Sequence, residues 1–179
     1  MSGSRTWLRL RRLALGLALL FLSACPFSSE QPLSDPAAAE FDRALVGTWK
    51  TQDNETKEWY SLTFFPFNDR ELAAFTQGGA DDELEAYRVF VTVIDTERFL
   101  NVRQLGTGED QEWYFARYKF DGDRLLLRLV DDALFGSTRF ASAAALRDFV
   151  RRNLSDPRLF ESDDPEQPDM VWQREEASN

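Results

Sequence analysis

Residues 113–130 read WYFARYKFDGDRLLLRLV, two runs in which apolar and polar side chains alternate on either side of Asp121-Gly122. Alternation with period two sends successive side chains to opposite faces of an extended strand, and glycine accepts the positive φ that a two-residue hairpin turn demands. The pattern predicts an antiparallel hairpin. A loop at Asp121-Gly122 sets Tyr118 opposite Leu125, Ala116 opposite Leu127 and Tyr114 opposite Leu129. Slipping the pairing by one residue would put the same aromatic residues against Arg124, Leu126 and Arg128, so the apolar face argues against that register. A hairpin alone is marginal in water, and this one requires more sheet around it.

The rest of the chain supplies that sheet. Alternating runs bounded by turn residues predict strands from Leu45 to Gln52, Trp59 to Phe67, Glu71 to Gln77, Leu84 to Ile94, Arg98 to Leu105, Gln111 to Phe120, Arg124 to Asp131 and Met170 to Arg174. The expected fold class is mainly β: a single antiparallel meander barrel of about eight strands with one α-helix in the C-terminal half. The helix is expected in FASAAALRDFVRRNLSDP, where Leu146, Phe149, Val150 and Leu154 recur at helical spacing. Ser142 is its N-cap, Arg151 and Arg152 suit the negative end of its dipole, and Asp156-Pro157 stops it. Its apolar stripe must pack on the barrel wall or cover one mouth.

Two strands carry aromatic residues on both faces: Trp59, Tyr60, Phe64, Phe65 and Phe67 in one, and Trp113, Tyr114, Phe115, Tyr118 and Phe120 in the other. A barrel with a wet outer surface needs them on only one. The surplus is either covered by the helix and the segment after it, or lines a cavity or a partner surface. The inward candidates for lining a ligand site are Phe64, Tyr114, Ala116, Tyr118, Leu125, Leu127 and Leu129.

At the other extreme of the chain, Arg5, Arg9, Arg11 and Arg12 precede an apolar run from Leu13 to Leu22, followed by Ser23-Ala24 and the single cysteine, Cys25. A basic region, an apolar core and small residues make a secretory signal peptide, and the core is too short to span about 30 Å of hydrocarbon. Leu22-Ser23-Ala24-Cys25 resembles the lipobox of bacterial lipoproteins. The resemblance implies cleavage before Cys25, diacylglycerol on its sulfur and acylation of the new amine, hence a membrane anchor in the cell envelope. Residue 26 is Pro rather than Asp, which points to the periplasmic side of the outer membrane for a Gram-negative source. The domain plan is then residues 1–24 as signal peptide, 25–40 as acylated cysteine and flexible Ser- and Pro-rich tether, and 41–179 as the barrel domain.

Loss of residues 1–24 removes four arginines and leaves 17 basic against 31 acidic residues, a formal charge of −14. That balance excludes nucleic acid as a partner, because phosphate recognition demands a basic face. It suits solubility or a cationic protein partner. The chain has no histidine, which removes His-assisted nucleophiles and His-ligated metal sites, and no phosphate-binding or dinucleotide motif. Acids cluster at Asp81-Asp82-Glu83, Asp131-Asp132 and Asp163-Asp164-Pro165-Glu166, all at expected turns, where solvated charge accounts for them. No catalytic residue, metal site or cofactor is assigned, and no enzymatic activity is expected.

The domain opens with Leu45-Val46-Gly47-Thr48-Trp49. Gly-x-Trp early in the first strand of a small antiparallel barrel is similar to the lipocalins and fatty-acid-binding proteins. The resemblance implies a barrel whose lumen holds an apolar molecule, with Trp49 at the closed end and Arg174 of the last strand over its ring. The helix here precedes the last strand instead of following it. Two functional readings follow: a lipid-anchored, non-enzymatic barrel for a small apolar ligand, and an acidic interaction protein such as an envelope assembly factor or an inhibitor of a cationic hydrolase.

Overall fold

A computed structural model describes residues 26–53, 56–79, 84–106, 112–160 and 170–175. Cys25 and residues 1–24 lie outside the described residues. The strands are β1 (Ser28–Ser29), β2 (Gly47–Gln52), β3 (Trp59–Pro66), β4 (Glu71–Gly78), β5 (Glu85–Ile94), β6 (Glu97–Gln104), β7 (Trp113–Asp121), β8 (Arg124–Leu129) and β9 (Met170–Arg174), with one α-helix, α1 (Ala143–Arg152). Strands β2 to β9 each pair antiparallel with the next, and β9 returns to β2, closing an eight-stranded barrel. Each predicted strand lies within two residues of an observed one. Among the described residues no helix is long and apolar enough to cross a bilayer.

The β7–β8 hairpin corrects the expected register. Asp121 pairs with Arg124, so the loop is Gly122-Asp123, and Tyr118 faces Leu127 while Ala116 faces Leu129 and Phe120 faces Leu125. Glycine thereby takes the first loop position, with φ +61°, which is where a II′ turn requires it. An Asp121–Arg124 ion pair closes the strand ends. The shift is two residues, so every side chain keeps its expected face.

That alternation divides the apolar residues into two cores. Inside the barrel lie Leu45, Trp49, Leu62, Phe64, Leu72, Tyr87, Val89, Leu100, Tyr118, Leu125, Leu127 and Trp172. Outside, the opposite faces of β5, β6 and β7 offer Phe90, Ile94, Phe99, Trp113 and Phe115, which are covered by Leu146 and Val150 of α1 and by Leu159 and Phe160. The helix therefore packs on the wall and not across a mouth. Ser142 Oγ accepts from the Ala145 N–H at 3.2 Å, the expected cap, and Leu146 and Val150 are buried one turn apart.

Residues 26–40 also cover that wall, in place of the expected flexible tether. Strand β1 pairs with the start of β7, and Phe27, Leu33 and Ala39 are buried in the outer core. The composition misled because these three residues, six apart, are too sparse to mark a strand or a helix; they bury only because β5 to β7 present an apolar outer face. One buried polar station holds the segment. Asn101, completely buried, accepts from the Leu33 N–H at 2.8 Å and donates to Thr92 Oγ1 at 2.8 Å and to the Phe90 carbonyl at 3.2 Å, while Ser34 and Thr92 hydroxyls meet at 2.6 Å. Asn101→Leu leaves the Leu33 N–H buried without an acceptor. Its expected cost is about 1–3 kcal/mol, read from the denaturant midpoint, with new protease cleavage within residues 27–40. Unchanged stability and unchanged protection would show that the apolar contacts alone hold the segment.

Candidate functional site

The barrel has two unlike ends. One carries the tight connections β3–β4, β5–β6 and β7–β8 together with the entry into β2; the other carries the longer connections, including the α1 segment. At the turn end, the single-turn helix Arg43–Leu45 places Leu45, fully buried, beneath the ring of Trp49, whose Nε1 donates to the Leu45 carbonyl at 2.8 Å. Arg174, the cross-strand neighbour of Trp49, holds its guanidinium 4.2 Å from the indole centroid and donates to the Val46 carbonyl at 2.9 Å and to that of Ala44. Gly47 makes room for this arrangement. Its φ is +127°, and a Cβ there would come within 2.9 Å of Arg174 Nη1. The glycine therefore has a local cause: a positive φ that other side chains rarely adopt, beside an arginine that covers the tryptophan. Asp42 completes the closure by accepting from Tyr118 Oη at 2.7 Å and from Arg98 at 2.8 Å. Burial, and then the Asp42 carboxylate, push the Tyr118 phenol well above its ordinary range, so it stays protonated and donates.

All seven candidate lining residues point into the barrel, but at different depths. Phe64, Tyr118 and Leu125 belong to the filled half near the turn end, where Trp49, Phe64 and Leu72 are each 1% exposed. Toward the loop end burial relaxes: Leu62, Leu127 and Leu129 are 6–8% exposed, Ala116 is just buried, and Tyr60, Tyr114 and Met170 are half-buried. The lumen is therefore filled near the turn end and more loosely covered toward the loop end.

The loop-end rim of the barrel is polar. Glu85, on the inward face of β5, accepts from Tyr87 Oη at 2.6 Å, from Gln104 Nε2 at 3.4 Å and from Thr76 Oγ1 at 3.5 Å. Burial, reinforced by the Glu85 carboxylate, raises the Tyr87 phenol far above its usual range. Burial likewise raises Tyr114, and Tyr60 beside Glu58 rises for the same first cause. Three protonated phenols and a carboxylate around an apolar floor can orient a molecule by hydrogen bonds, but they hold no nucleophile and base in contact. Among the described residues there is no group of three or more acidic or cysteine side chains placed to hold a metal ion.

The sequence did not single out Trp172. Its ring is 2% exposed inside the barrel, and its Nε1 has no acceptor among the described residues. A buried indole N–H without a partner costs free energy comparable to a lost hydrogen bond. The only local signal was its place two residues before Arg174, on the same face of β9. A separate cavity of about 320 Å³ lies outside the barrel, between residues 26–30 and the stretch that follows β8, with Phe27, Glu30, Glu112, Asp132, Arg139 and Phe140 in its wall.

Of the aromatic surplus, Trp113 and Phe115 are covered by the outer core, whereas Trp59, Phe65 and Phe67 on the outer side of β3 remain exposed. Comparison of the chain with protein-family models, with curated proteins and with solved structures returned no match.

Proposed function

We propose that this protein is a non-enzymatic, lipid-anchored barrel of the bacterial cell envelope that binds one end of an elongated apolar molecule in the loop end of its lumen. The resemblance to lipocalins and the lipobox at Cys25 support that reading from the sequence. The observation that carries it is the orphaned N–H of Trp172 inside the barrel, below the more loosely covered loop-end positions Leu62, Leu129, Tyr114 and Met170. The ligand chemistry that satisfies both is an apolar chain ending in an acceptor oxygen, as in a fatty acid or an oxygenated isoprenoid. A carboxylate buried beside the indole would have no counter-charge, so of these a neutral carbonyl or hydroxyl oxygen suits the Trp172 N–H better.

Titration of the detergent-solubilised protein with a fluorescent acyl ester is expected to saturate in the micromolar range. Trp172→Phe removes one neutral hydrogen bond and should weaken binding about 2- to 10-fold, while Ala116→Trp fills the loop end of the lumen and should abolish it. Native mass spectrometry of protein taken from its own membrane should show a retained small molecule. Absence of saturable binding, with no retained molecule, would overturn this reading. The filled turn-end half of the lumen and the charge of −14 favour the second reading, an acidic interaction protein for a cationic partner, and a retained protein in the same spectrum would support it.

A further inference from the structure

Three of the five exposed large apolar side chains among the described residues sit on one arc of the loop-end rim, whereas Phe65 and Phe67 lie toward the turn end. Trp59 is 60% exposed at the start of β3, Leu84 is 65% exposed next to the start of β5, and Leu105 is 50% exposed just after β6. All three occupy outward positions, and the Leu105 N–H bonds the Ala86 carbonyl at 2.8 Å, which sets Leu105 beside the outward face that Leu84 begins. The arc continues to β7, where β1 pairs with Tyr114 and Trp113.

The root of the chain's N-terminal segment lies close to that arc. Pro26 bridges to Asp131, and the Phe27 N–H donates to the Val130 carbonyl at 2.9 Å, beside the first residues of β7. From Pro26 to Ala39 the chain is held to the barrel by these bonds, by Asn101 and by the outer core. A trans peptide moves the chain only about 3.8 Å per residue. A lipid carried on Cys25 would hold this end of the barrel at the bilayer surface.

We infer that the loop-end rim is a membrane-docking surface: Trp59, Leu84 and Leu105 enter the interfacial region of the bilayer and turn the mouth of the barrel toward lipid. The inference rests on the proposed anchorage through Cys25. Trp59 suits the role because indole combines apolar area with an N–H that stays hydrated at headgroup depth. Glu58, Glu85 and Glu112 at the same end repel anionic headgroups, so the surface it meets is zwitterionic.

The protein carries its own probe. Trp49, Trp113 and Trp172 are 1–4% exposed, which leaves Trp59 as the exposed tryptophan among the described residues. The test reconstitutes the membrane-purified protein and its Trp59→Phe variant into phosphatidylcholine vesicles containing lipid brominated at the upper acyl carbons. The expected result is loss of Trp59 emission, absent in the variant, together with loss of acrylamide access. Leu84→Ser with Leu105→Ser should restore both while leaving the protein in the vesicles, and replacing part of the lipid with phosphatidylglycerol should weaken the quenching. Intact mass separates the two failures. An acylated, vesicle-bound protein whose Trp59 emission ignores the brominated lipid overturns the docking surface and leaves the anchor standing. An unacylated mass rejects the anchor, and the docking surface with it.

Discussion

Cys25→Ala is expected to abolish stable membrane attachment, leaving either an uncleaved precursor or a released protein, and to remove all labelling by radioactive palmitate. On the proposed anchorage the effect is all-or-none, because the substitution removes the attachment point of every acyl chain. Each buried methylene contributes about 0.8 kcal/mol; one chain binds marginally, and two or more bind durably. Nothing in the described residues replaces that contribution, since no helix among them can span a bilayer and the rim offers only three large apolar side chains. An Ala variant that is cut at the same bond, unlabelled and still in the membrane would sink the proposal of a lipid anchor. The same variant also separates anchorage from ligand binding, because the loop-end lining and Trp172 lie inside the barrel and should bind an acyl ester as before.

Trp49→Ala should be the most damaging single substitution at the turn end. Removing a buried tryptophan from a core costs about 3–5 kcal/mol, a large share of the 5–15 kcal/mol that holds a domain of this size together. Here it also strips the Leu45 carbonyl of its donor and Arg174 of the ring it covers. Arg174→Ala should cost less, about 0.5–2 kcal/mol, because the guanidinium is solvent-facing and the indole stays buried without it. The two costs should not add: with Trp49 gone, Arg174→Ala should cost little more. Chemical denaturation of the two single variants and the double variant measures the coupling. Full additivity, or a Trp49→Ala cost below about 1 kcal/mol, would mean that the turn end repacks without them. On the proposed signal-peptide reading, neither variant should affect export.

Strand alternation made the barrel legible before any tertiary contact was considered. In β7, Trp113 and Phe115 point one way and Tyr114, Ala116 and Tyr118 the other, and closure of the sheet preserves that parity. The helix was equally local: Ser142 caps it, and Leu146 and Val150 fall on one stripe. The Gly47, Trp49 and Arg174 group was legible as a resemblance, and its reason emerged only with the barrel closed, since Arg174 and Trp49 are neighbours solely because β9 pairs with β2.

What local pattern could not decide was set by distant surfaces. A two-residue shift in the β7–β8 hairpin leaves every face unchanged, so alternation is blind to it; the position at which the turn needs glycine settles it. Phe27, Leu33 and Ala39 lie too far apart to mark a strand or a helix, and a Ser- and Pro-rich stretch reads as a tether until the outer face of β5 to β7 gives it apolar area and Asn101 gives it a hydrogen-bond station. The gradient of burial along the lumen is likewise tertiary. Leu125 and Leu129 are equivalent in the sequence pattern, yet one is sealed beneath the Trp49 plug and the other borders the mouth, because only a closed barrel has a floor. The alphabet of faces is a one-dimensional property of alternating side chains, whereas register, coverage and depth depend on which surfaces the chain brings together.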